Sequence, residues 1–381
     1  MKKFVGGLLS AAIIAGTFVT PVKAEEFKNP IDFYYPDDTW EHWAEEQMLD
    51  LLQSDIIRGE QIEDRKRDEI YLYLRPENTV TRAEFVAMVV RALELETTKQ
   101  GVNFTDTAGH WAQNDINTAS ALGIVNGKTA TTFDPKGKIT RAEIAAIVVR
   151  AFDPTVDFAK GTAINFTDLT NKHWAYDEIR EATKVGIVSG TSKTTVSPDK
   201  SAKRAEAAVM IHRALGKEEV GKPNSADLTT MILENEEAAY EAYNNRDIEA
   251  LVELNDQNHF GMAHAMTAEN IEMARWMFED EYMKEYKDEY KIISDPTLTV
   301  TASSTRFAKV NVENLIVENT YTYPEVDEET GEETGVIIEE SDTEELSGEY
   351  LLVKRNGTWK VYTNDNLKWF LYEDWEEEWE D

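Results

Sequence analysis

The chain has 381 residues, enough for a leader and at least two domains, and contains no cysteine, which excludes disulfides, thiol catalysis and cysteine-held metals. Its 73 acidic residues against 39 basic ones give a net charge of −34. A polyanion of that strength is repelled by nucleic acid and by anionic membrane, so neither is an expected partner.

In chain order, residues 1–24 read as an export signal. Lys2 and Lys3 precede an apolar run from Phe4 to Val19, and Val22-Lys23-Ala24 ends in the small residues of a cleavage site. No later stretch approaches the roughly 20 apolar residues that span a bilayer, so no membrane contact is expected once the signal is removed.

Residues 32–96, 101–153 and 163–216 repeat one unit. The second and third copies align as Asp106, His110-Trp111-Ala112, Gly123-Ile124-Val125, Gly127 and Arg141-Ala142-Glu143, then Asp168, His173-Trp174-Ala175, Gly186-Ile187-Val188, Gly190 and Arg204-Ala205-Glu206. The first is looser: Asp38, His42-Trp43-Ala44, Asp55-Ile56-Ile57, Gly59 and Arg82-Ala83-Glu84, with about nine residues inserted after Gly59. Each copy predicts two helices whose apolar faces must be buried against the other copies. Trp111, Ile116, Ala119 and Leu122 mark the first stripe; Ile144, Ile147, Val148 and Ala151 mark the second.

Thr140 and Glu143 form a capping box at the start of the second helix, as do Thr81 and Glu84; Lys203 breaks the box in the third copy. Arg82, Arg141 and Arg204 follow at once, where the helix macrodipole disfavours a cation. Each therefore suggests an anionic ligand, such as an acidic glycan, or a pair with an acidic residue of a neighbouring repeat, Asp38, Asp106 and Asp168 being the candidates, and such a pair could still floor a ligand pocket. The tryptophans sit among aliphatics at helical spacing and read first as packing residues, a role compatible with stacking a sugar on the indole edge. His42, His110 and His173 read as caps or surface residues rather than metal ligands.

These residues resemble S-layer homology domains over about residues 32 to 216. The resemblance implies a pseudo-threefold trimer of helix-loop-helix repeats that binds a secondary cell-wall polysaccharide, often pyruvylated, of Gram-positive-type bacteria. It implies binding through Asp38, Trp43, Gly59 and Arg82; through Asp106, Trp111, Gly127 and Arg141; and through Asp168, Trp174, Gly190 and Arg204. On this reading Arg141→Ala weakens wall binding and leaves the fold intact.

Gly221, Pro223 and Ser225 mark a linker over 217–226. From Gly221 onward there are 40 acidic and 12 basic residues, so −28 of the charge lies there and only −6 before it. This acidic part, 227–381, predicts helices over Leu228–Asn244, Ile248–Leu254 and Ala268–Tyr286. Strands follow at 298–300, Phe307–Val317, Glu349–Lys354 and Thr358–Tyr362, with a tight turn at Arg355-Asn356-Gly357. The helix phrase Ala239–Asp247 and the closing hairpin Tyr350–Val361 resemble the nuclear-transport-factor-2-like cone, which implies a pocket. Tyr282, Tyr286 and Tyr290, four apart, and the tail residues Trp369, Trp375 and Trp379 read as a helix face or an aromatic contact surface, and the acidic pairs at 328–329, 332–333 and 339–340 as a solvated loop. His259, His264, Asp247 and Asp256 are the acid–base candidates, but none has a second half, and both histidines read as exposed loop residues.

The fold expected is multidomain, an all-α repeat module followed by an α+β domain with a curved antiparallel sheet. The function expected is a non-catalytic, secreted cell-surface protein anchored to a pyruvylated wall polysaccharide, without cofactor or metal, whose acidic domain offers a site to a ligand or protein of unknown identity. A wall-tethered enzyme and an S-layer lattice subunit are the alternatives.

Overall fold

The computed structural model describes residues 31–372 except 68, 281–282, 284–285 and 327–332. The export signal, Tyr282, Glu328, Glu329, Glu332, Trp375 and Trp379 lie outside the described residues. The chain divides into two compact units, one of Asp32–Lys222 with Ser304–Phe307, the other drawn from the residues after Lys222.

In the first unit a short helix, α1 (Ile31–Tyr34), precedes three helix pairs. These are α2 (Glu45–Gln53) with α3 (Arg82–Leu93), α4 (Gln113–Ala121) with α5 (Arg141–Phe152), and α6 (Tyr176–Lys184) with α7 (Arg204–Gly216). The second helices α3, α5 and α7 touch one another, and α4 packs on α3, α6 on α5 and α2 on α7. Each first helix thus covers the second helix of the preceding copy, which closes the three copies into a ring. The backbone closes the same ring. Val80 N–H donates to Ala202 O (3.2 Å), Ala202 N–H to Ile139 O (2.9 Å) and Ile139 N–H to Val80 O (3.1 Å). The stripe expected on the second helix is core, with Ile144, Ile147, Val148 and Ala151 buried beside Phe85, Phe152 and Ile211; of the stripe expected on the first helix only Ile116 and Ala119 are buried, and Trp111 and Leu122 are exposed.

This unit is not all-α. The insertion in the first copy forms an antiparallel hairpin, β1 (Glu60–Asp64) and β2 (Glu69–Tyr73), with Ile62 opposite Tyr71 and Gln61 opposite Leu72. Ile70, Tyr71 and Tyr73 are strand-favouring residues, and Tyr71 and Tyr73 flank the buried Leu72 at period two rather than 3.6, a pattern that overrides the helical grammar of the repeat.

In the second unit α8 (Ser225–Asn244), α9 (Ile248–Asn258) and α10 (Gly261–Glu279) precede β3 (Lys287–Ile292), β4 (Thr297–Ser303), β5 (Phe307–Glu313), β6 (Ile316–Val326), β7 (Glu333–Glu345), β8 (Gly348–Arg355), β9 (Thr358–Asn364) and α11 (Asp365–Tyr372). The expected single curved sheet is two sheets, ordered β3-β6-β7 and β4-β5-β8-β9. Asn314, with φ +58°, turns the chain between β5 and β6 and so breaks the single strand expected over Phe307–Val317. Glu339 and Glu340 lie in β7 instead of a loop. The four-residue spacing of the tyrosines does not mark a helix, because α10 ends at Glu279 and Tyr290 belongs to β3.

Candidate functional site

Each repeat arginine reaches out of its own copy into the next. Arg82 donates from Nε to Phe133 O (3.0 Å), from one terminal nitrogen to Asn126 O (3.1 Å) and from the other to Glu143 Oε1 (2.8 Å). Arg141 does the same with Val196 O (2.8 Å), Ser189 O (2.6 Å) and Glu206 Oε1 (2.7 Å). Arg204 closes the cycle on Leu74 O (2.8 Å), Arg58 O (3.2 Å) and Glu84 Oε1 (3.3 Å). The acidic partners are therefore the capping-box glutamates, not Asp38, Asp106 and Asp168. One carboxylate oxygen caps the glutamate's own helix, as Glu143 Oε2 does for Thr140 N–H (2.9 Å), and the other receives the neighbour's guanidinium. The sequence carried a signal for this, since a capping box uses only one of two carboxylate oxygens.

The macrodipole conflict is answered in the same place. The first amides of each arginine helix donate to carbonyls of the next copy: Arg82 N–H to Gly137 O (2.9 Å), Arg141 N–H to Lys200 O (3.0 Å) and Arg204 N–H to Asn78 O (2.8 Å). A guanidinium among carbonyls and a carboxylate no longer meets an uncompensated helix N-terminus. Burial lowers the pKa of Arg82 and Arg141, while Glu143 and Glu206 raise it. With Arg141 buried and tied at three nitrogens, Arg141→Ala is expected to cost stability, which the sequence reading did not anticipate.

The aspartates fix the loop that the arginine touches. Asp106 accepts from Phe133 N–H (2.8 Å) and Asp134 N–H (2.7 Å), Asp168 from Val196 N–H (3.0 Å) and Ser197 N–H (2.8 Å), and Asp38 from Leu74 N–H and Arg75 N–H (both 2.8 Å). Burial pushes the Asp106 carboxyl up, but these amides and the Arg82 charge outweigh it and hold the group below the usual range. Gly59, Gly127 and Gly190 each follow the carbonyl that the arginine's second terminal nitrogen binds. A Cβ on Gly127 would stand 2.3 Å from Thr129 O and 2.5 Å from the Phe104 ring, so the loop closes only over glycine.

Structure therefore groups nine of the twelve residues by junction between copies. Arg82 joins Asp106 and Gly127, Arg141 joins Asp168 and Gly190, and Arg204 joins Asp38 and Gly59. The tryptophans sit just before the first helix of each copy and are not core: Trp43 is 60% exposed, Trp111 62% and Trp174 59%. Each ring lies against the histidine before it, at 5.5, 5.5 and 5.8 Å between centroids, and each histidine Nδ1 accepts the amide two residues on (3.1–3.2 Å), as a cap should.

The junctions differ in charge. Lys128 also pairs with Glu143, adding a second cation at the Arg82 junction. At the Arg204 junction His42 contacts Glu77 (3.2 Å), which also pairs with Lys203. Lysine has no acceptor, so α7 keeps only the glutamate half of its box, Lys203 N–H to Glu206 Oε2 (2.8 Å).

Residues 103–145 and 165–208 match the S-layer homology domain family. The chain carries S-layer homology domains. Similar proteins include the amylopullulanase of Thermoanaerobacterium thermosulfurigenes, 32% identical over 224 residues, which are 56% of this chain and 11% of that protein. An S-layer protein of Bacillus thuringiensis subsp. finitimus is 29% identical over 60% of this chain and 26% of its own length, and one of Bacillus licheniformis 30% identical over 59% and 24%. The matches thus span about a quarter or less of these relatives. Both an enzyme and S-layer proteins share the S-layer homology region, so it leaves the chemistry of the second unit undecided.

In that second unit the acid–base candidates have structural partners. Asp247 caps α9 by accepting Ala250 N–H (3.0 Å), and His264 Nε2 meets Asp256 Oδ1 (2.9 Å) at the surface. His259 is not an exposed loop residue. It is 3% exposed, its ring nitrogens contact Asn235 Nδ2 (3.2 Å) and Asn255 Oδ1 (2.8 Å), and burial lowers its pKa to about 3. No described helix is long and apolar enough to cross a membrane.

Proposed function

We propose that the S-layer homology unit anchors an exported protein to the bacterial cell wall by binding an acidic, pyruvylated wall polysaccharide at the junctions between copies, and that the acidic second unit is the displayed part. The observation that carries this reading is the indole exposed to about 60% at the same place in all three copies. A large aromatic left in water three times over forgoes apolar burial unless something stacks on it, and sugar rings present the flat C–H faces that do. The aspartate, glycine and arginine of each junction serve this reading as a rigid floor. The −28 of the later residues opposes a polyanionic wall, so attachment falls to the nearly balanced repeats. The relatives named S-layer proteins support a surface location, and on this reading the wall is of Gram-positive type.

Trp111→Ala tests this directly. With an exposed indole the variant is expected to keep the wild-type unfolding midpoint and to bind isolated walls several-fold more weakly. Unchanged wall binding by a folded variant would remove the tryptophan from the site.

A further inference from the structure

The hairpin in the first copy is a feature the other two lack, and it grows directly out of one junction. Its two ends are the segments that Arg204 holds, through Arg58 O before β1 and Leu74 O after β2. Its base is pinned a second time. Asp37 N–H donates to Leu72 O (2.7 Å), and Leu72 N–H donates to the Asp37 carboxylate (2.6 Å).

The strand register sorts the hairpin's side chains. Leu72 is buried on one face, across from Gln61, whose amide donates to Asp32 O (2.8 Å). Glu60, Ile62, Tyr71 and Tyr73 share the opposite face, because they are cross-strand partners at alternate positions. On that face the Tyr71 and Tyr73 rings stack at 6.5 Å, and the Arg75 guanidinium lies 4.3 Å from the Tyr73 ring centre while pairing with Glu60 (3.2 Å). Arg67 donates to the Tyr71 hydroxyl (3.2 Å) at the far end. From Tyr71 to Tyr73 the strand covers about 7 Å at its usual rise, and the Arg75 guanidinium extends this face past Tyr73. The loop pinned to this base adds Trp40, 74% exposed, where the other copies have Ala108 and Asn171.

We propose that this hairpin is an additional polysaccharide subsite. Tyr71 and Tyr73 stack the sugar units adjoining the one bound at the junction of the third and first copies, with Arg75 and Glu60 bonding their hydroxyls. The inference rests on the polysaccharide reading of the repeats. Since Glu60 and Glu69 offset Arg75 and Arg67, the ladder suits unsubstituted hexose or hexosamine units rather than further acidic ones.

The test uses the full chain in a Trp111→Ala/Trp174→Ala background, where only the hairpin junction keeps its indole. Titration calorimetry compares a pyruvylated hexosamine monosaccharide with a pentasaccharide that carries the same unit at one end. The background protein is expected to bind the pentasaccharide roughly tenfold more tightly than the monosaccharide, in keeping with two ring stacks. Adding Tyr71→Ala/Tyr73→Ala should abolish that gain and leave monosaccharide affinity within about twofold, whereas Tyr71→Phe/Tyr73→Phe should retain it. A gain that survives the alanine pair overturns the hairpin subsite alone. Absence of binding by either sugar to the wild-type chain overturns the polysaccharide reading and the subsite with it.

Discussion

Arg82, Arg141 and Arg204 each place a cation in the first turn of a helix, against a macrodipole cost of a few tenths to about 1 kcal/mol. The three bonds each makes to the next copy outweigh that cost. Arg141→Ala would leave Glu206 Oε1 and two carbonyls without their donor, so a loss of about 3 kcal/mol is expected in urea unfolding of the first unit. A loss under 1 kcal/mol would mean that water replaces the guanidinium freely. The same residue scale holds the clearest pH effect. His259 is neutral in the fold with a pKa of about 3 against an ordinary 6.5, so the unfolded chain binds one more proton between those values. Stability of the second unit should therefore fall as pH drops below about 6.5, by up to about 1.4 kcal/mol per pH unit from this group, until about pH 3. Its carboxylates titrate in the same range, so the comparison is with His259→Gln: the wild type should lose more stability than the variant between pH 6.5 and 4, and parallel curves would contradict the buried neutral ring. The arginine was legible as an anomaly but not its partner, which depends on the register between copies. The burial of His259 was not legible, because a polar, glycine-containing stretch gives no hydrophobic period to read.

At the scale of elements, the repeat helices were legible because capping boxes, glycine ends and apolar stripes agreed with one another. Gly123 and Gly186 have φ of +73° and +77°, and Asp55 holds the equivalent turn at +56°, which is why that copy tolerates the change. The inserted segment was legible only as extra length, since its strand pattern is short and charged. In the second unit, sequence could not show that Asn314 turns the chain, nor that the tyrosine spacing crosses from the end of a helix into a strand. The broken cap of α7 gives a prediction here. Lys203→Thr would restore the hydroxyl acceptor for Glu206 N–H, worth about 1 kcal/mol, while deleting the exposed, water-screened pair with Glu77. A small rise in the unfolding midpoint of the first unit is expected, and a fall would show that the Glu77 link between the third and first copies outweighs the cap.

Across the whole molecule, the three copies form a closed ring in which every junction is made of one copy's arginine and the next copy's aspartate, glycine and glutamate. Period and motif order made the threefold repetition legible. The offset by one copy was not, since spacing along a chain does not say which neighbour a side chain reaches. The charge division, −28 after residue 220 against −6 before it, leaves the repeats as the part compatible with an anionic wall. The most direct test of wall anchoring is co-sedimentation of the full chain with purified walls, before and after mild acid removes ketal-linked pyruvate. Binding that is lost with the pyruvate, and weakened beforehand by Trp111→Ala, is the expected result. Binding that survives pyruvate removal undiminished would contradict recognition of the pyruvylated glycan at the junctions.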